Sequence, residues 1–345
     1  MKNKIVNLVR SDILNLSPYQ SAREEYTYNK ACFLDANESP YGLYNRYPDP
    51  FQNKLKIKIS KIKNIGIESI FIGNGSDEPI DMVYRIFCNP RQDKVLIFNP
   101  TYGMYSVYAA INGVDIIYQK LNEDFQIDNK SIDILCQDKE IKLIFICNPN
   151  NPTGTIIAPT SIEKILNTFN SIVVIDEAYI DFCPEYSWLP KLKRYPNLII
   201  IQTLSKAWGM AGLRIGLAFM SPDILYFFNK IKSPYNISEV NQREATEILK
   251  DQCEFQTNIK LIKQETIRVV SETEKLSIVT KVYPTQTNFI LVEFKNAQRI
   301  YDSLISKQIV VRNRSSQIPN TLRITVGNKK ENNTLIQTLK QLDNE

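Results

Sequence analysis

Histidine is absent from the 345 residues of this chain. That absence excludes Ser-His-Asp and Cys-His nucleophile systems, zinc sites built on imidazole, and a histidine general base. Any catalytic chemistry must therefore use Lys, Tyr, Asp, Glu, Arg, Cys or a bound cofactor.

Glycine is also scarce, with 11 residues where an average share would give about 24. Several of these glycines nevertheless occur in two small groups. Gly73 and Gly75 form one, and Gly209, Gly212 and Gly216 form the other. In a chain that otherwise avoids glycine, such groups indicate backbone that turns tightly or lies close to a ligand.

Three further patterns are missing. No apolar run approaches the roughly 18 residues that span a bilayer, the apolar stretch near the N-terminus is too short for a signal peptide, and the six cysteines form no C-x-x-C pair. The 42 basic and 37 acidic residues are spread along the chain, which is not typical of a nucleic-acid surface. We expect a soluble, cytoplasmic protein with reduced thiols, no metal site, and no nucleic-acid or membrane partner.

The composition, with 43% hydrophobic and 23% charged residues, is that of a globular protein, and the length suits about two domains. From about residue 70, short apolar runs alternate with helical stretches. The predicted strands are Ser69–Ile72, Lys94–Phe98, Val114–Tyr118, Lys142–Ile146, Ile172–Ile175, Asn197–Ile201 and Leu213–Phe219. The predicted helices between them include Asp77–Phe87, Met104–Asn112 and Pro159–Phe169. This alternation predicts an α/β domain with helices on both faces of a mostly parallel, seven-stranded sheet.

Two regions lie outside this pattern. Lys54–Lys63 alternates like a strand, although Leu55, Ile59 and Ile62 also fit one helical face. After Ser233-Pro234, a long helical stretch over Glu239–Glu274 leads into three strand-like segments, which are Asn288–Phe294, Ile309–Arg312 and Leu322–Val326. We therefore expect an N-terminal arm with part of a small domain over 1–45, a large domain over 46–235, and a smaller α+β domain over 236–345.

Three polar segments follow predicted strands, at the sheet edge where open α/β proteins bind ligands. They are residues 147–154, Asp176-Glu177-Ala178-Tyr179 and residues 205–214. The first is also compatible with a simple Asn-Pro turn. The second resembles the magnesium-binding strand end of a P-loop ATPase, but the chain has no G-x-x-x-x-G-K-[ST] string. The ATPase interpretation is therefore excluded.

The third segment contains Lys206 beside a serine and within the larger glycine group. A lysine is usually a solvated surface charge, but a desolvated one near another cation is suited to Schiff-base chemistry. With Asp176 and Arg214 it could hold pyridoxal phosphate, because that cofactor offers an aldehyde, a pyridinium and a phosphate. The loop 73–78 adds backbone N–H donors for an anion, or caps a helix at Ser76 or Asp77, or does both.

The chain resembles the fold-type-I aminotransferases, and within them the histidinol-phosphate aminotransferase branch. The cofactor motifs that carry the resemblance are residues 73–78, 100–103, 148–154, 176–179 and 205–214. The segments more particular to the branch are Ser17-Pro18-Tyr19-Gln20, Arg46-Tyr47-Pro48 and Val311-Arg312-Asn313-Arg314. The resemblance implies a large domain with a mostly parallel seven-stranded sheet, a smaller α+β domain, and a homodimer with shared active sites.

The resemblance also implies a role for individual residues. Lys206 is the implied Schiff-base lysine, Asp176 the partner of the pyridine nitrogen, and Tyr102 the residue that stacks on the ring. Tyr179 and Asn151 are implied to bond the ring hydroxyl. The residues implied to surround the cofactor phosphate are Gly75, Ser76, Asp77, Ser205 and Arg214, and Tyr47 is implied to reach it from the partner subunit. Arg323 is implied to receive the substrate carboxylate or phosphate. The residues implied to complete substrate recognition are Tyr19, Asn37 and Arg312.

The implied reaction is the transamination of L-histidinol phosphate with 2-oxoglutarate, giving imidazole-acetol phosphate and glutamate by a ping-pong route in histidine biosynthesis. Lys206 is then both the anchor and the base, which explains how the chain manages without histidine. An aromatic-amino-acid aminotransferase and a threonine-phosphate decarboxylase on the same scaffold remain as alternatives. A pyridoxal-phosphate-binding regulatory domain is a further alternative, although it would not need the substrate arginines.

Overall fold

The computed structural model describes residues 5–18 and 32–345. Its larger sheet has seven strands, which are β1 (Ile70–Asn74), β2 (Lys94–Asn99), β3 (Asp115–Lys120), β4 (Ile141–Cys147), β5 (Ile172–Asp176), β6 (Leu198–Thr203) and β7 (Ile215–Phe219). Their order is β1-β7-β6-β5-β4-β2-β3. Strand β7 is antiparallel to both neighbours, and the pairs between β6 and β3 are all parallel. The prediction of a mostly parallel, seven-stranded sheet is confirmed.

Helices cover both faces of this sheet. In chain order they are α1 (Ser11–Asn15), α2 (Asn53–Lys63), α3 (Asp77–Phe87), α4 (Met104–Ile111), α5 (Asn129–Leu135), α6 (Pro159–Thr168) and α7 (Pro222–Ile231). Strand β4 shows why both faces must be covered, because its successive side chains point in opposite directions. Phe145 packs into the core beneath α3, α4 and α7, whereas Ile144 and Ile146 pack into the core beneath α2 and α6.

A second, antiparallel sheet contains the strands β8 (Val279–Val282), β9 (Phe289–Phe294), β10 (Arg312–Asn313) and β11 (Thr321–Thr325). Their order is β10-β11-β9-β8. The remaining helices are α8 (Glu239–Ile248), α9 (Gln252–Glu274), α10 (Ala297–Ser306) and α11 (Lys329–Asn344). The buried residues of this sheet form their own core with α9, α10 and α11. The chain therefore has a large α/β unit and a smaller α+β unit, as predicted, while the exact domain boundaries stay a prediction.

The ambiguous segment near residue 54 is helical. Leu55 and Ile59 are four residues apart, so they lie on one helical face, and both are buried in the core of the large sheet. The lysines between them do not define a strand face.

Two other segments differ from the sequence-based expectation. The predicted helical stretch Glu239–Glu274 is two helices, because Asp251 caps a new one by accepting a hydrogen bond from the backbone N–H of Glu254 (2.8 Å). The predicted strand Ile309–Arg312 is wrong except at its last residue. The N–H of Ile309 bonds the Leu304 carbonyl at the end of α10 (2.9 Å), so pairing with β11 begins only at Arg312.

The strand directions determine where a site can form. The parallel strands β2, β4, β5 and β6 end at one edge of the large sheet, and the antiparallel strand β7 begins at that edge. Segments after the parallel strands and the residue before β7 are therefore brought together. Within residues 5–18 and 32–345, no helix combines the length and apolarity needed to cross a membrane.

Candidate active site

A cavity of about 250 Å³ lies at this edge of the large sheet. Its lining residues come from loops that follow β1, β2, β4, β5 and β6, from the turn before β7, and from β11 of the smaller sheet. They are Ser76, Asp77, Tyr102, Cys147, Asn151, Asp176, Ala178, Tyr179, Thr203, Ser205, Lys206, Ala211, Arg214 and Arg323. Most of the residues singled out in the sequence therefore converge on one place.

The buried carboxylate of Asp176 is the last residue of β5 and is 3% exposed. Its Oδ2 accepts a hydrogen bond from the phenol of Tyr105 (2.6 Å), and its Oδ1 accepts one from the backbone N–H of Ala178 (3.0 Å). Burial raises the pKa of Asp176, and these two hydrogen bonds oppose the rise because they favour the ionised form. The site thus holds a carboxylate suited to a cationic partner.

Lys206 lies in the turn after β6, where the N–H of Gly209 bonds the lysine carbonyl (3.0 Å). Its Nζ is 5.8 Å from the ring centroid of Tyr179. Burial lowers the pKa of Lys206, the nearby charge of Arg323 lowers it further, and Asp176 partly opposes both. A larger fraction of the amine is therefore neutral, and hence nucleophilic, at neutral pH.

The part of the cavity around Gly75 and Arg214 is suited to bind an anion. Arg214 has a φ of 54° just before β7, and its carbonyl accepts a hydrogen bond from the N–H of Gly75 (2.8 Å). A Cβ on Gly75 would lie only 2.3 Å from the Arg214 guanidinium, so glycine leaves the space that the arginine fills. Ser76 occupies the N-cap position of α3 without a side-chain capping bond, which leaves its hydroxyl for the cavity. Asp77 lies 3.5 Å from Arg214.

Hydrogen bonds across the cavity join the two sheets. Arg323 on β11 donates to the side-chain oxygen of Asn151 (2.5 Å), and the Asn151 amide lies 3.4 Å from the Tyr179 hydroxyl. Tyr179 also contacts Phe289 of β9 edge-on, with ring centroids 5.2 Å apart. Tyr102 donates to Asp77 (3.2 Å) from the other wall. The site is therefore complete only when the smaller sheet lies against the larger one.

A group of three arginines borders the site on the side of the smaller sheet. Arg312 on β10 is paired in register with Arg323 on β11, so the two side chains share a face. Arg314 is half-buried beside them, and its buried Nε has no hydrogen-bond partner. Burial and the charges of the other two lower the pKa of Arg314 to about 10. In the part of the chain that the structure describes, none of the three forms a salt bridge.

Some predicted residues lie elsewhere. Asn37 and Tyr47 line a separate surface groove with Tyr44. The half-exposed ring of Tyr47 stacks on Tyr235, with centroids 4.4 Å apart. Tyr19 lies outside the described residues. The structure of the single chain therefore does not bring Asn37 or Tyr47 to the cavity.

Two residues at the site were not singled out from the sequence. Tyr105 lies in the first turn of α4, three positions after Tyr102, which precedes the helix, and this nearness to the segment 100–103 was the available signal. Arg314 belongs to the same Val-Arg-Asn-Arg segment as Arg312. The signal for Arg314 was the second arginine of that segment. It directly follows the two-residue strand β10, which lies near the site.

The donor set fits pyridoxal phosphate. Gly75 and Arg214 shape a space for its phosphate, Asp176 offers a buried carboxylate for its pyridinium, and Lys206 offers a nucleophilic amine for its aldehyde. Asp176, Lys206 and Arg214 all line the one cavity.

The fold is that of an aminotransferase, and its cavity brings together a lysine, a buried carboxylate and an arginine. The chain belongs to the class I and II aminotransferases, whose family model matches residues 12–339. It is 45% identical to the histidinol-phosphate aminotransferase of Parabacteroides distasonis, over 97% of this chain and 98% of that protein.

Solved structures show the same architecture. The histidinol-phosphate aminotransferase from Clostridium acetobutylicum matches with a TM-score of 0.80 and 27% identity, over 87% of this chain and 91% of that one. The Sinorhizobium meliloti enzyme, solved in complex with pyridoxal 5′-phosphate, matches with a TM-score of 0.76 over 89% and 90%. At 23% identity, the second structure supports the fold alone.

We expect Lys206 to react with a small aldehyde before the exposed Lys61 does, when the protein is treated near neutral pH in the presence of cyanoborohydride. The reason is that amines attack in the neutral form, which a lowered pKa favours. Peptide mapping by mass spectrometry measures both sites. Arg323→Gln removes a positive charge and should slow the modification of Lys206 alone. Equal rates at Lys206 and Lys61 would contradict the account of the amine.

Proposed function

We propose that this chain catalyses the transamination of L-histidinol phosphate with 2-oxoglutarate, giving imidazole-acetol phosphate and glutamate. The observation that carries the proposal is the group Arg312, Arg314 and Arg323 beside the Lys206 cavity, none of which forms a salt bridge within the described residues. The amino-group donor and the amino-group acceptor of this reaction are both anionic. Histidinol phosphate carries a phosphate, and 2-oxoglutarate carries two carboxylates. A guanidinium binds either anion through two parallel hydrogen bonds.

The cofactor in this proposal is pyridoxal phosphate, which supplies an electron-accepting ring and carries the amino group between the two half-reactions. The ionised Asp176 would keep the ring nitrogen protonated, because a buried carboxylate stabilises a nearby cation. Lys206 Nζ takes the proton from the substrate Cα, since its lowered pKa leaves it available as a base at neutral pH. No histidine is required at any step.

The remaining cavity residues hold and orient the cofactor in this proposal. Arg214 bonds its phosphate, with the N-terminus of α3 beneath it and further contacts from Gly75, Ser76, Asp77 and Ser205. Tyr102 stacks on the ring, and Tyr179 with Asn151 bonds the ring hydroxyl. Arg323 lines the cavity from β11, with Arg312 opposite it on β10, and in this proposal the two meet the substrate anion.

The threonine-phosphate decarboxylase alternative also needs arginines, so the arginine group does not decide between the two. The identity of 45% over nearly the whole chain to a histidinol-phosphate aminotransferase favours transamination of histidinol phosphate. An aromatic amino acid carries one carboxylate and no phosphate, so this amino-group donor would use less of the positive charge than histidinol phosphate does.

A homodimer with shared sites is part of the same proposal. Large apolar side chains are strongly exposed in the segment that leads to Tyr47, with Leu34 at 86%, Tyr41 at 85% and Leu43 at 85%. An apolar strip of this kind favours burial against another surface. A second copy of the chain would cover it and bring Tyr47 to the partner's cofactor phosphate. Since phosphorylated substrates do not cross membranes, we also place the reaction in the cytoplasm.

The absorbance spectrum of the purified protein tests the function. We expect the absorbance band of the bound pyridoxal phosphate, which colours the protein yellow, to disappear when L-histidinol phosphate is added without a keto acid. The band should return when 2-oxoglutarate is added. L-phenylalanine and L-threonine O-3-phosphate are the comparison substrates. Conversion by phenylalanine alone would support the aromatic alternative, and release of carbon dioxide from threonine phosphate would support the decarboxylase. No band after reconstitution with pyridoxal phosphate would contradict the role of Lys206.

Mixed dimers test whether Tyr47 acts on the partner's site. Lys206→Ala and Tyr47→Ala should each have little activity alone. A dimer with one subunit of each kind has one intact site, formed by Lys206 of one subunit and Tyr47 of the other. Unfolding and refolding the two variants together in equal amounts should restore about a quarter of the wild-type activity, because half of the dimers are mixed and half of their sites are intact. No recovery would place Tyr47 in its own subunit's site, or outside both.

A further inference from the structure

Tyr105 is a fully buried tyrosine that bonds a residue of the site. Its side chain is fully buried on α4, and its hydroxyl donates to Oδ2 of Asp176 at 2.6 Å. Burial, and next the negative charge of Asp176, raises the pKa of Tyr105 well above its usual value, so the phenol keeps its proton. It is therefore a constant hydrogen-bond donor to the carboxylate.

The position of this phenol is fixed by an aromatic stack. The ring of Phe145 on β4 lies against the Tyr105 ring, with centroids 4.7 Å apart and planes 18° apart. Tyr84 on α3 stacks on Phe145 at 5.4 Å, and its hydroxyl donates to the Tyr105 carbonyl at 2.9 Å. All three side chains are buried in one core cluster. The phenol cannot turn away from Asp176 without disturbing this packing.

The other groups around Asp176 do not replace this hydrogen bond. The carboxylate receives one further hydrogen bond, from the N–H of Ala178. The titratable groups that influence it from neighbouring elements are Asp77 on α3, Tyr102 before α4, Cys147 on β4, Tyr179 after β5 and Lys206 after β6. Of the charged ones, Asp77 disfavours ionisation and Lys206 favours it. Lys206 gives this help only while its nitrogen carries a proton.

We propose that Tyr105 is a positioning residue that keeps Asp176 ionised and fixes the orientation of its carboxylate toward the cofactor's ring nitrogen. The proposal rests on the proposed function, since it takes pyridoxal phosphate as the cofactor. Tyr105 does not touch the cofactor in this account. It acts through Asp176, to whose Oδ2 it donates, and it does not line the cavity.

Removal of the Tyr105 hydroxyl changes the pKa of Asp176 in one direction. In Tyr105→Phe the carboxylate keeps its burial but loses a donor that favours the charged form, so the pKa of Asp176 in the cofactor-free protein rises. Cofactor binding needs the ionised carboxylate, and it weakens as the pH falls through that pKa. The acidic limit of cofactor binding should therefore move to higher pH in the variant.

The experiment measures the dissociation constant of pyridoxal phosphate for wild-type and Tyr105→Phe protein across the range from mildly acidic to mildly alkaline pH. The ratio of the two constants should rise about tenfold from the alkaline to the acidic end, the equivalent of a shift of about one pKa unit. Titration of Lys206 and of the cofactor phosphate is common to both proteins and cancels in the ratio. Tyr84→Phe is the matched control, since it removes a buried phenol from the same stack but leaves Asp176 its donor.

A purely structural role for Tyr105 predicts a different result, because loss of packing or rigidity weakens binding by the same factor at every pH. A ratio that does not vary with pH, or one that Tyr84→Phe reproduces, overturns the proposal. Thermal unfolding of the cofactor-free variants shows whether each is folded, and Tyr105→Trp replaces the phenol by an N–H donor if Tyr105→Phe is not. Failure of the wild-type protein to bind the cofactor would instead refute the proposed function.

Discussion

The carboxylate of Asp176 is the charge around which the rest of the site is arranged. An ionised carboxylate in a protein interior costs several kcal/mol unless it is hydrogen-bonded and paired. Here it ends a strand that is buried on both faces, and its charge is met by a phenol from α4 and a backbone N–H from the following turn. Both donors depend on the layers of the large unit being packed as they are. A cation that enters the cavity completes the pairing that the protein alone leaves unfinished.

Positive charge is distributed around this carboxylate in two groups with different tasks. Arg214 lies before β7 against Gly75, and the other three arginines come from the smaller unit, where Arg323 lines the cavity and Arg312 pairs with it. Lys206 lines the same cavity as Arg214 and Arg323, and the pKa of its amine is lowered by partial desolvation there and by the charge of Arg323. The positive charge of Arg323 therefore lowers the pKa of the lysine, and in the proposed function the same charge attracts the anionic substrate. This coupling explains how the chain can perform acid–base chemistry without histidine.

Much of this arrangement could be predicted from the sequence, because apolar strands and the polar segments after them are local features. Asp176 and Lys206 were found in this way. Arg214 was expected inside a strand, but it lies in the turn before β7, since an antiparallel strand starts at the edge where its neighbours end. The hydrogen bond between Tyr105 and Asp176 joins residues 71 positions apart, and no local pattern reports such a contact. The contact of Arg323 with Asn151 spans 172 positions and depends on how the two sheets meet.

The central claim is that one cavity holds the cofactor with its ring nitrogen toward Asp176 and its phosphate toward Arg214, leaving the arginines of the smaller sheet for substrate. A crystal structure of the protein grown with pyridoxal phosphate tests this claim most directly. The account predicts the ring nitrogen within hydrogen-bonding distance of Asp176, the aldehyde carbon at Lys206 Nζ and the phosphate against Gly75 and Arg214. A reversed cofactor with its phosphate on Arg323, or a cofactor bound outside this cavity, would contradict it.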